Sequence, residues 1–435
     1  MKLGIVALGS PLQNMDQLFL QKIEKISTKL EATGIKTISP SVYVSDFEGL
    51  EKQLQEMPMD DIDGLVLLVL TGGTEKMILK SAEKTSKPII LLTDSENNSL
   101  AAACEVIPEL RSKGRNPKLI FSENLEKIDV EKIKKNIEVF QTIRKLKNLR
   151  LGLIGSRSPW LVSTIQDFEL VKDKVGPTVV KVDFSEFLTE IRKIPDSQAD
   201  GVSEKFLSNI SESKEPSKED VIQAVKIYLA LKKLVKSHGL DFVTVGCFEL
   251  IPEIDNTGCL ALSKLIDEGI IAGCEGDLEA TLTMVILNLL SSKPVWMANI
   301  SSFDLSRNTI IFSHCTVSKD MLESPPVLRN HFESSTGVAI QGDLRKNAEF
   351  TIARLGGPKL DKMLLSSGIV NRNNLENENM CRTQAEIKLD GSVEDFIKNL
   401  LGNHTVLVEG DIRSKLRSLC NELDIETIGT NGFEK

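Results

Sequence analysis

The chain has 435 residues, of which 41% are apolar, and carries a net charge of −9 at pH 7. Because basic residues are interspersed with a larger number of acidic ones, no broad basic surface is expected for nucleic acid or an anionic membrane. No apolar run reaches the roughly 18 residues that cross a bilayer, and the first residues are typical of a strand rather than a signal peptide, so we expect a cytoplasmic protein. The length predicts about three globular domains.

Residues 1–148 alternate between strand and helix patterns. Leu3–Leu8 predicts a first strand, and Gly64–Leu70 is a run of valine and leucine typical of a strand buried on both faces. Amphipathic segments such as Met15–Thr33 and Val130–Lys147 predict covering helices. We therefore predict an N-terminal α/β domain, residues 1–148, built on a doubly wound parallel sheet.

The same pattern restarts at Arg150–Ile154 and continues to residue 292. Phe242–Cys247 and Gly269–Cys274 predict further buried strands. Leu278–Leu290 is apolar nearly all round, which predicts a helix packed in the interior. We predict a second doubly wound α/β domain at residues 149–292.

Short strand patterns replace the helical periodicity after residue 292. The runs are Val295–Ala298, Thr309–Phe312, Gly337–Ile340, Glu349–Leu355, Lys362–Ile369, Thr383–Ile387 and Thr405–Val408. Closely spaced short strands with few helices predict a mainly β, barrel-like C-terminal domain at residues 293–435.

Candidate functional residues follow the predicted strands, because ligands of parallel sheets bind beyond the carboxyl ends of the strands. Glu275 comes directly after an apolar strand pattern, where a metal or substrate would be met. Asp277 has a simpler explanation, since an aspartate at a helix start caps free backbone N–H groups. The glycine-rich loop Thr71–Glu75 has neither dinucleotide nor P-loop spacing, so a tight turn explains it as well as a ligand does.

The four histidines show no zinc-finger or His-Glu-x-x-His spacing. His314 and His404 lie in strand patterns, and spacing alone makes each more often a packed core residue than a ligand. We expect His331, in a polar stretch, to be solvated. Neighbours in a strand point to opposite faces, so His314 and Cys315 are not expected to form a nucleophile pair.

The seven cysteines are widely spaced and include no Cys-x-x-Cys pair. Cys104, Cys247 and Cys259 lie in apolar stretches. An odd number of scattered cysteines is typical of a protein in a reducing compartment. We expect buried, reduced thiols.

Several segments resemble the L-fucose/L-arabinose isomerase superfamily, and most closely its shorter fucose-isomerase-related proteins. They are Thr257–Leu262, Asp267–Ile270, Cys274–Asp277, Trp296–Asn299, Ser313–Thr316 and, similar to the family's late metal-histidine segment, Gly402–Asp411. The resemblance is strongest over residues 240–320 and 400–427 and looser in the first domain.

The resemblance implies a metal-dependent aldose–ketose isomerase that acts through an enediol or enediolate. Residue by residue, it places metal ligands at Glu275, Asn299, His314 and His404, with the catalytic positions at the first two. It implies one divalent ion, typically Mn²⁺, that chelates the sugar carbonyl and adjacent hydroxyl while carboxylates move the proton. Mixed carboxylate and imidazole ligation suits Mn²⁺, and Zn²⁺, Fe²⁺ or Co²⁺ also fit.

The sequence departs from the family where Asn299 replaces the second carboxylate. An amide oxygen binds a metal but cannot carry a proton near neutral pH. Glu275 is the favoured base, and the missing proton carrier is Asp304, Asp277 or Glu249. Two other functions stay open, a non-catalytic sugar-binding or regulatory homologue and another enediolate enzyme such as an epimerase or lyase.

The expected partner is a small-molecule sugar, and four residues are predicted to contact it. Trp160 is suited to stacking on the C–H face of a sugar, although an interior anchor is equally compatible. Glu249 follows another strand. Glu75 and Asn98, in loops of the first domain, are suited to binding the hydroxyls of a sugar held in the site of a neighbouring subunit. The family assembles into oligomers, so we expect a homo-oligomer.

Overall fold

A computed structural model describes residues 1–10, 15–124, 127–373 and 375–429. The chain divides into two compact units, Met1–Gln141 and Thr142–Lys435. Within the second unit, the predicted boundary near residue 292 falls between a helix that ends at Ser291 and a strand that begins at Val295. The division into three domains stays a prediction.

The first unit is built on a parallel sheet with strand order β2-β1-β3-β4-β5. Its described elements are β1 (Lys2–Leu8), α1 (Asp16–Glu31), β2 (Lys36–Ile38), α2 (Phe47–Glu56), β3 (Gly64–Val69), α3 (Glu75–Glu83), β4 (Ile89–Thr93), α4 (Ser99–Ser112), β5 (Lys118–Phe121) and α5 (Val130–Leu146).

Alternation along β1 explains why this sheet is covered on both faces. Leu3 and Ile5 pack with residues of α1 and α5, whereas Val6 and Leu8 pack with residues of α2, α3 and α4. Successive strand residues point to opposite faces, so a fully apolar strand requires a helical layer on each side. The predicted doubly wound arrangement is confirmed.

The second unit begins with another parallel sheet, in the order β10-β9-β6-β7. Its elements are β6 (Arg150–Ile154), α6 (Phe168–Lys174), β7 (Thr178–Val182), α7 (Phe184–Lys193), α8 (Asp196–Leu207), β8 (Glu212–Ser213), α9 (Lys218–His238), β9 (Phe242–Val245), α10 (Ile251–Ile254), α11 (Cys259–Asp267), β10 (Ala272–Cys274) and α12 (Leu278–Ser291).

A six-stranded antiparallel barrel follows, in the order β15-β18-β11-β12-β17-β16, and it closes because β15 also pairs with β16. The elements of this part of the chain, in the barrel and around it, are β11 (Val295–Asp304), β12 (Thr309–His314), β13 (Val327–Arg329), β14 (Ala339–Gln341), β15 (Glu349–Gly356), β16 (Lys362–Asn373), β17 (Thr383–Leu389), α13 (Val393–Lys398), β18 (His404–Glu409), α14 (Arg413–Glu422) and β19 (Glu426–Gly429). The predicted barrel-like C-terminal part is confirmed.

Helix α12 joins the sheet to the barrel. It packs against β9 and β10 on the sheet side and against β11, β15 and β18 on the barrel side. A helix enclosed by two layers buries residues all round, as its apolar sequence predicted. Across the part of the chain that the structure describes, no helix has the length and apolar character needed to cross a lipid bilayer.

Candidate active site

Glu275 lies at the tip of β10, as predicted. Its backbone is left-handed, with φ of +60°, which is uncommon for a residue other than glycine. The next residue, Gly276, has φ of +65°, and a Cβ atom there would lie 2.8 Å from the backbone of Ser156 and Arg157. The turn therefore requires glycine at 276. The Glu275 side chain is 10% exposed.

The Glu275 carboxylate meets two side chains from distant parts of the second unit. Its Oε2 accepts a hydrogen bond from Trp160 Nε1 at 2.6 Å. Its Oε1 lies 3.6 Å from Nε2 of His404, at the start of barrel strand β18. The predicted meeting of Glu275 with His404 is thus present in the structure.

A buried chain of polar groups contacts His404 on the Nδ1 side of its ring. Its Nδ1 lies 2.9 Å from Oδ2 of Asp277, and the same oxygen accepts a hydrogen bond from Arg354 Nη1 at 2.8 Å. Arg354 Nη1 also donates to the His404 carbonyl at 3.1 Å. Asp277 caps α12 as predicted, since Oδ1 accepts from Ala280 N at 2.9 Å. Each oxygen of this carboxylate therefore has a separate role.

Burial and charge set the protonation of these groups. Burial opposes the charged form of His404, yet the hydrogen bond to Asp277 and the nearby negative charge of Glu275 raise its pKa to about 9. Despite burial, Arg354 and His404 hold the pKa of Asp277 well below its usual range, and His404 lowers that of Glu275. Burial lowers the pKa of His314 to about 4, so this imidazole is neutral.

These side chains fit a divalent cation. Nε2 of His404 is buried and has no hydrogen-bond partner among the described residues, while its other nitrogen is fixed by a carboxylate, as in many metal-bound histidines. The His314 ring lies 5.5 Å from the His404 ring, centroid to centroid. One carboxylate and two imidazoles are donors that Mn²⁺, Fe²⁺ or Zn²⁺ accept.

A small cavity of about 30 Å³ lies beside Glu275, and Asn299 and His314 also line it. Asn299 stands opposite His404 in the pairing of β11 with β18. Its Oδ1 accepts a hydrogen bond from Asn403 at 3.2 Å, and its Nδ2 lies 3.8 Å from Cys381 Sγ. The structure thus gathers all four predicted ligands around one region, although their metal-binding role stays a prediction.

Three expectations about neighbouring residues are wrong. His331 is buried rather than solvated and lines the cavity, because the loop after β13 folds inward. His314 and Cys315 line the same cavity rather than opposite faces, since β12 ends at His314 and alternation stops there. Cys104 is exposed, whereas the other six cysteines are buried.

Two predicted substrate residues lie near Glu275. Trp160, in the loop after β6, is 50% exposed, which excludes the interior-anchor alternative. Its ring meets Phe248 edge-on at 4.7 Å. Glu249 instead accepts the backbone N–H of Ser156 at 2.7 Å and so tethers the loop that leads to Trp160.

The other two predicted substrate residues belong to the first unit. Glu75 and Asn98 line one cavity of about 650 Å³, together with Thr71 and Ser10, at the carboxyl ends of β1, β3 and β4. Asn98 has a left-handed backbone, with φ of +58°. A contact of either residue with substrate stays a prediction.

Sequence reasoning missed Arg354 and Glu333. Arg354 is buried in β15 between apolar neighbours, and a charged residue inside an apolar strand is itself an indication of a buried ion pair. Glu333 lines the cavity from a loop. The residue as a whole is exposed, but partial burial of its carboxyl raises its pKa. No local pattern singles out Glu333.

No protein-family model matches the chain. Sulfoquinovose isomerases of Priestia aryabhattai and Priestia megaterium are each 24% identical to it over 409 residues, which is 90% of this chain and 90% of each relative. The sulfoquinovose isomerase of Alkalicoccus urumqiensis is 22% identical over 411 residues, 88% of this chain and 89% of that protein. These three relatives are sugar isomerases by name, and none of them is named a fucose or arabinose isomerase. Membership of that superfamily therefore stays a prediction.

The chain also aligns with solved structures of sugar-binding proteins, but only weakly. A sugar-binding protein of a Bacillus halodurans transporter aligns over 66% of this chain and 87% of its own, with a TM-score of 0.16 and 11% identity. AraP, an arabinose-binding protein of Geobacillus stearothermophilus, aligns over 67% and 88%, with a TM-score of 0.17 and 12% identity. TM-scores this low carry no argument about fold or function.

Proposed function

We propose that this protein is a metal-dependent isomerase that interconverts an aldose and a ketose through an enediol. The names of its relatives support the enzyme class, an isomerase of sugars, in agreement with the prediction from sequence. The observation that supports a metal is the Nε2 atom of His404, which is buried, makes no hydrogen bond to any described residue and lies 3.6 Å from a Glu275 oxygen.

The side chains have distinct roles in this proposal. Glu275, His404, His314 and Asn299 would hold the cation, which would supply Lewis-acid stabilisation of the negative charge that develops on the sugar oxygens. Asp277 fixes the orientation of the His404 ring. Glu275 takes the proton from one sugar carbon and returns it to the neighbouring carbon.

Trp160 has two roles in this proposal: it orients the Glu275 carboxylate, and it contacts the sugar. Its indole N–H orients Glu275 through the 2.6 Å hydrogen bond. Its ring is half exposed, which leaves an aromatic face for the C–H face of a sugar ring.

Glu333 is the best candidate for the second proton carrier, which Asn299 cannot be. Of the three earlier candidates, Asp277 is committed to His404 and Arg354. Glu249 is bonded to the Ser156 N–H. Asp304 accepts hydrogen bonds from Ser306 and Arg307 in the turn after β11. Glu333, by contrast, lines the cavity beside Glu275, and its raised pKa suits a group that gives and takes protons.

Sulfoquinovose, the sugar named for the relatives, is the first substrate to test. It is an aldohexose with a sulfonate on its last carbon. The 6-deoxy sugar with the same ring lacks this anion, so a comparison of the two measures whether the negative charge is recognised. Pentoses and other 6-deoxyhexoses complete the panel. The expected homo-oligomer and cytoplasmic location remain proposals as well.

Exchange of the sugar C2 proton with deuterated water tests the proposal. We expect exchange by the Mn²⁺-loaded protein and its loss after chelation. Glu275→Gln should lower the exchange rate by at least about 10²- to 10⁴-fold, because the base and one metal ligand are removed together. Glu333→Gln should lower it while bound metal is retained, whereas Glu323→Gln, at an exposed position outside the cavity, should not.

Two results would count against this function. Equal exchange by chelated and Mn²⁺-loaded protein would exclude the metal requirement. Bound metal without exchange of any sugar would favour a non-catalytic sugar-binding protein. In that case, exchange gained by Asn299→Asp would assign the loss of activity to position 299.

A further inference from the structure

The wall of the cavity that lies beyond Glu275 is rich in sulfur. Its lining includes Cys247, Cys259, Cys274, Cys315, Cys381 and His331. The five thiols are all buried. The isomerisation proposed above uses neither a thiol nor His331, so this side of the cavity has no role in it.

Three of these side chains converge on a single point. One donor atom each from Cys259, Cys315 and His331 lies within 4.8 Å of the other two, and all three residues are buried. Two sulfurs bound to one tetrahedral zinc ion are about 3.8 Å apart, given Zn–S bonds of about 2.3 Å. A small contraction of side chains therefore closes this group around an ion.

The surroundings orient these donors. Nδ1 of His331 lies 3.1 Å from the hydroxyl of Ser334, which leaves Nε2 as the free donor, the arrangement common in metal-bound histidines. The Phe248 ring packs edge-on against the imidazole at 5.5 Å. The two cysteines pack with Ala339 and Cys381 in a small apolar cluster. Cys381 contacts Cys315 but lies outside the group of three convergent donors.

We propose that Cys259, Cys315 and His331 form a second metal site, selective for a thiophilic divalent ion of the Zn²⁺ type. The two thiols release their protons to solvent when the ion binds, so that two thiolates and one dication form a neutral group. A neutral group is suited to an apolar, buried environment, where a lone charge is costly. Ordinary packing explains an isolated buried thiol such as Cys420, but not a buried imidazole that meets two thiols.

This site differs in chemistry from the site at Glu275. Thiolates favour Zn²⁺ and similar ions, whereas a carboxylate and an amide favour Mn²⁺. The inference stands on the positions of the sulfur and imidazole donors alone and does not rest on the isomerase function.

Titration with Co²⁺ under reducing conditions, after removal of bound metal, tests the site. Cobalt bound to thiolates absorbs in the near ultraviolet by charge transfer, and cobalt bound to carboxylate and imidazole does not. We expect a charge-transfer band that saturates at about one ion per chain and disappears when Zn²⁺ is added. Cys259→Ser and Cys315→Ser should each weaken Co²⁺ binding by at least about tenfold.

Matched controls separate this site from other effects. Cys420→Ser, at a buried thiol in α14, and Cys104→Ser, at an exposed thiol, should keep the band. Glu275→Gln should keep it as well, even if it abolishes sugar exchange. Absence of the band in the unsubstituted protein, or equal loss in Cys420→Ser, would overturn the proposal.

Alkylation of the unsubstituted protein gives a second measurement if the serine variants fail to fold. Zn²⁺ should slow the modification of Cys259 and Cys315, located by mass spectrometry, and leave that of Cys104 unchanged. Modification of all three at rates independent of Zn²⁺ would also overturn the proposal.

Discussion

Arg354 is a guanidinium placed where water cannot reach it. Its side chain is 1% exposed, and its partner Asp277 is fully buried. Two buried charges attract each other strongly, but each has lost its hydration, so the pair adds little net stability over an apolar pair. Its role is therefore to keep Asp277 ionised and aimed at His404, rather than to stabilise the fold as a whole.

Removal of one partner from this pair should be costly. Arg354→Met keeps the length of the side chain but removes one of the two cationic partners of the buried Asp277, and we expect a loss of about 3–5 kcal/mol in unfolding free energy. Urea denaturation followed by circular dichroism measures this loss. Arg192→Met, which breaks the exposed pair with Glu253, should cost about 1 kcal/mol or less. Similar costs for the two variants would contradict the role of Arg354.

Some functional residues could be predicted from the sequence, and others could not. Glu275 was predictable, because its position after a buried strand is a local property of the chain. Arg354 and His331 were not, because their partners lie far away in sequence and meet them only after folding. The cavity position of Cys315 was missed because the end of a strand cannot be located to one residue from its pattern.

Helix α12 combines an N-cap with a buried carboxyl in its first turn. Asp277 caps the helix, and Glu279 follows two residues later. Oε1 of Glu279 accepts the backbone N–H of Ile165 at 2.8 Å, whereas its Oε2 has no partner among the described residues. Burial and the nearby charge of Asp277 raise the pKa of Glu279 from 4.5 to about 7.

This raised pKa makes the stability of the protein depend on pH. Between pH 4.5 and 7 the folded state holds the Glu279 proton more tightly than the unfolded chain does, so stability falls as the pH rises. Glu279→Gln removes the charge, and at pH 8 it should raise the unfolding free energy by up to about 3 kcal/mol. At pH 4.5 the two proteins should be nearly equal.

A matched glutamate provides the control for this prediction. Glu169 occupies the same position in α6, two residues after the capping aspartate Asp167, but it is exposed. Glu169→Gln should change stability equally little at both pH values in thermal unfolding. A Glu279→Gln variant whose gain is the same at pH 4.5 and pH 8 would rule out the proton linkage.

Most elements were predictable because their patterns are long or strongly apolar. The run Gly64–Leu70 became β3, and the run Glu349–Leu355 became β15. The missed strands are β8, β13 and β19, which have two, three and four residues. Strand β8 pairs with β13, and β19 pairs with β16, in each case across a long stretch of chain. Such short segments have no periodicity of their own, since long-range pairing alone determines them.

At the scale of the whole molecule, the candidate active site depends on the second unit being folded. Glu275 comes from the parallel sheet, whereas Asn299, His314 and His404 come from three barrel strands. Family resemblance could predict the members of this set, but it could not predict that Asp277 and Arg354 hold the His404 ring, or that thiols line one wall of the cavity. Those groups follow from the way α12 brings the sheet against the barrel.

Because the four candidate ligands of the active site converge only in the folded protein, an ion bound to them should stabilise the fold. An ion that binds the folded state alone adds RT ln(1 + [L]/Kd), or about 2.7 kcal/mol at a hundred times Kd. We expect Mn²⁺ to raise the thermal midpoint of the protein freed of metal, and Glu275→Gln to abolish most of that rise. Cys259→Ser should leave the rise unchanged, because Mn²⁺ favours oxygen and nitrogen over sulfur. If Mn²⁺ stabilised Glu275→Gln as much as the unsubstituted protein, the ion would bind elsewhere, and the convergence of Glu275 and His404 would have a purely structural role.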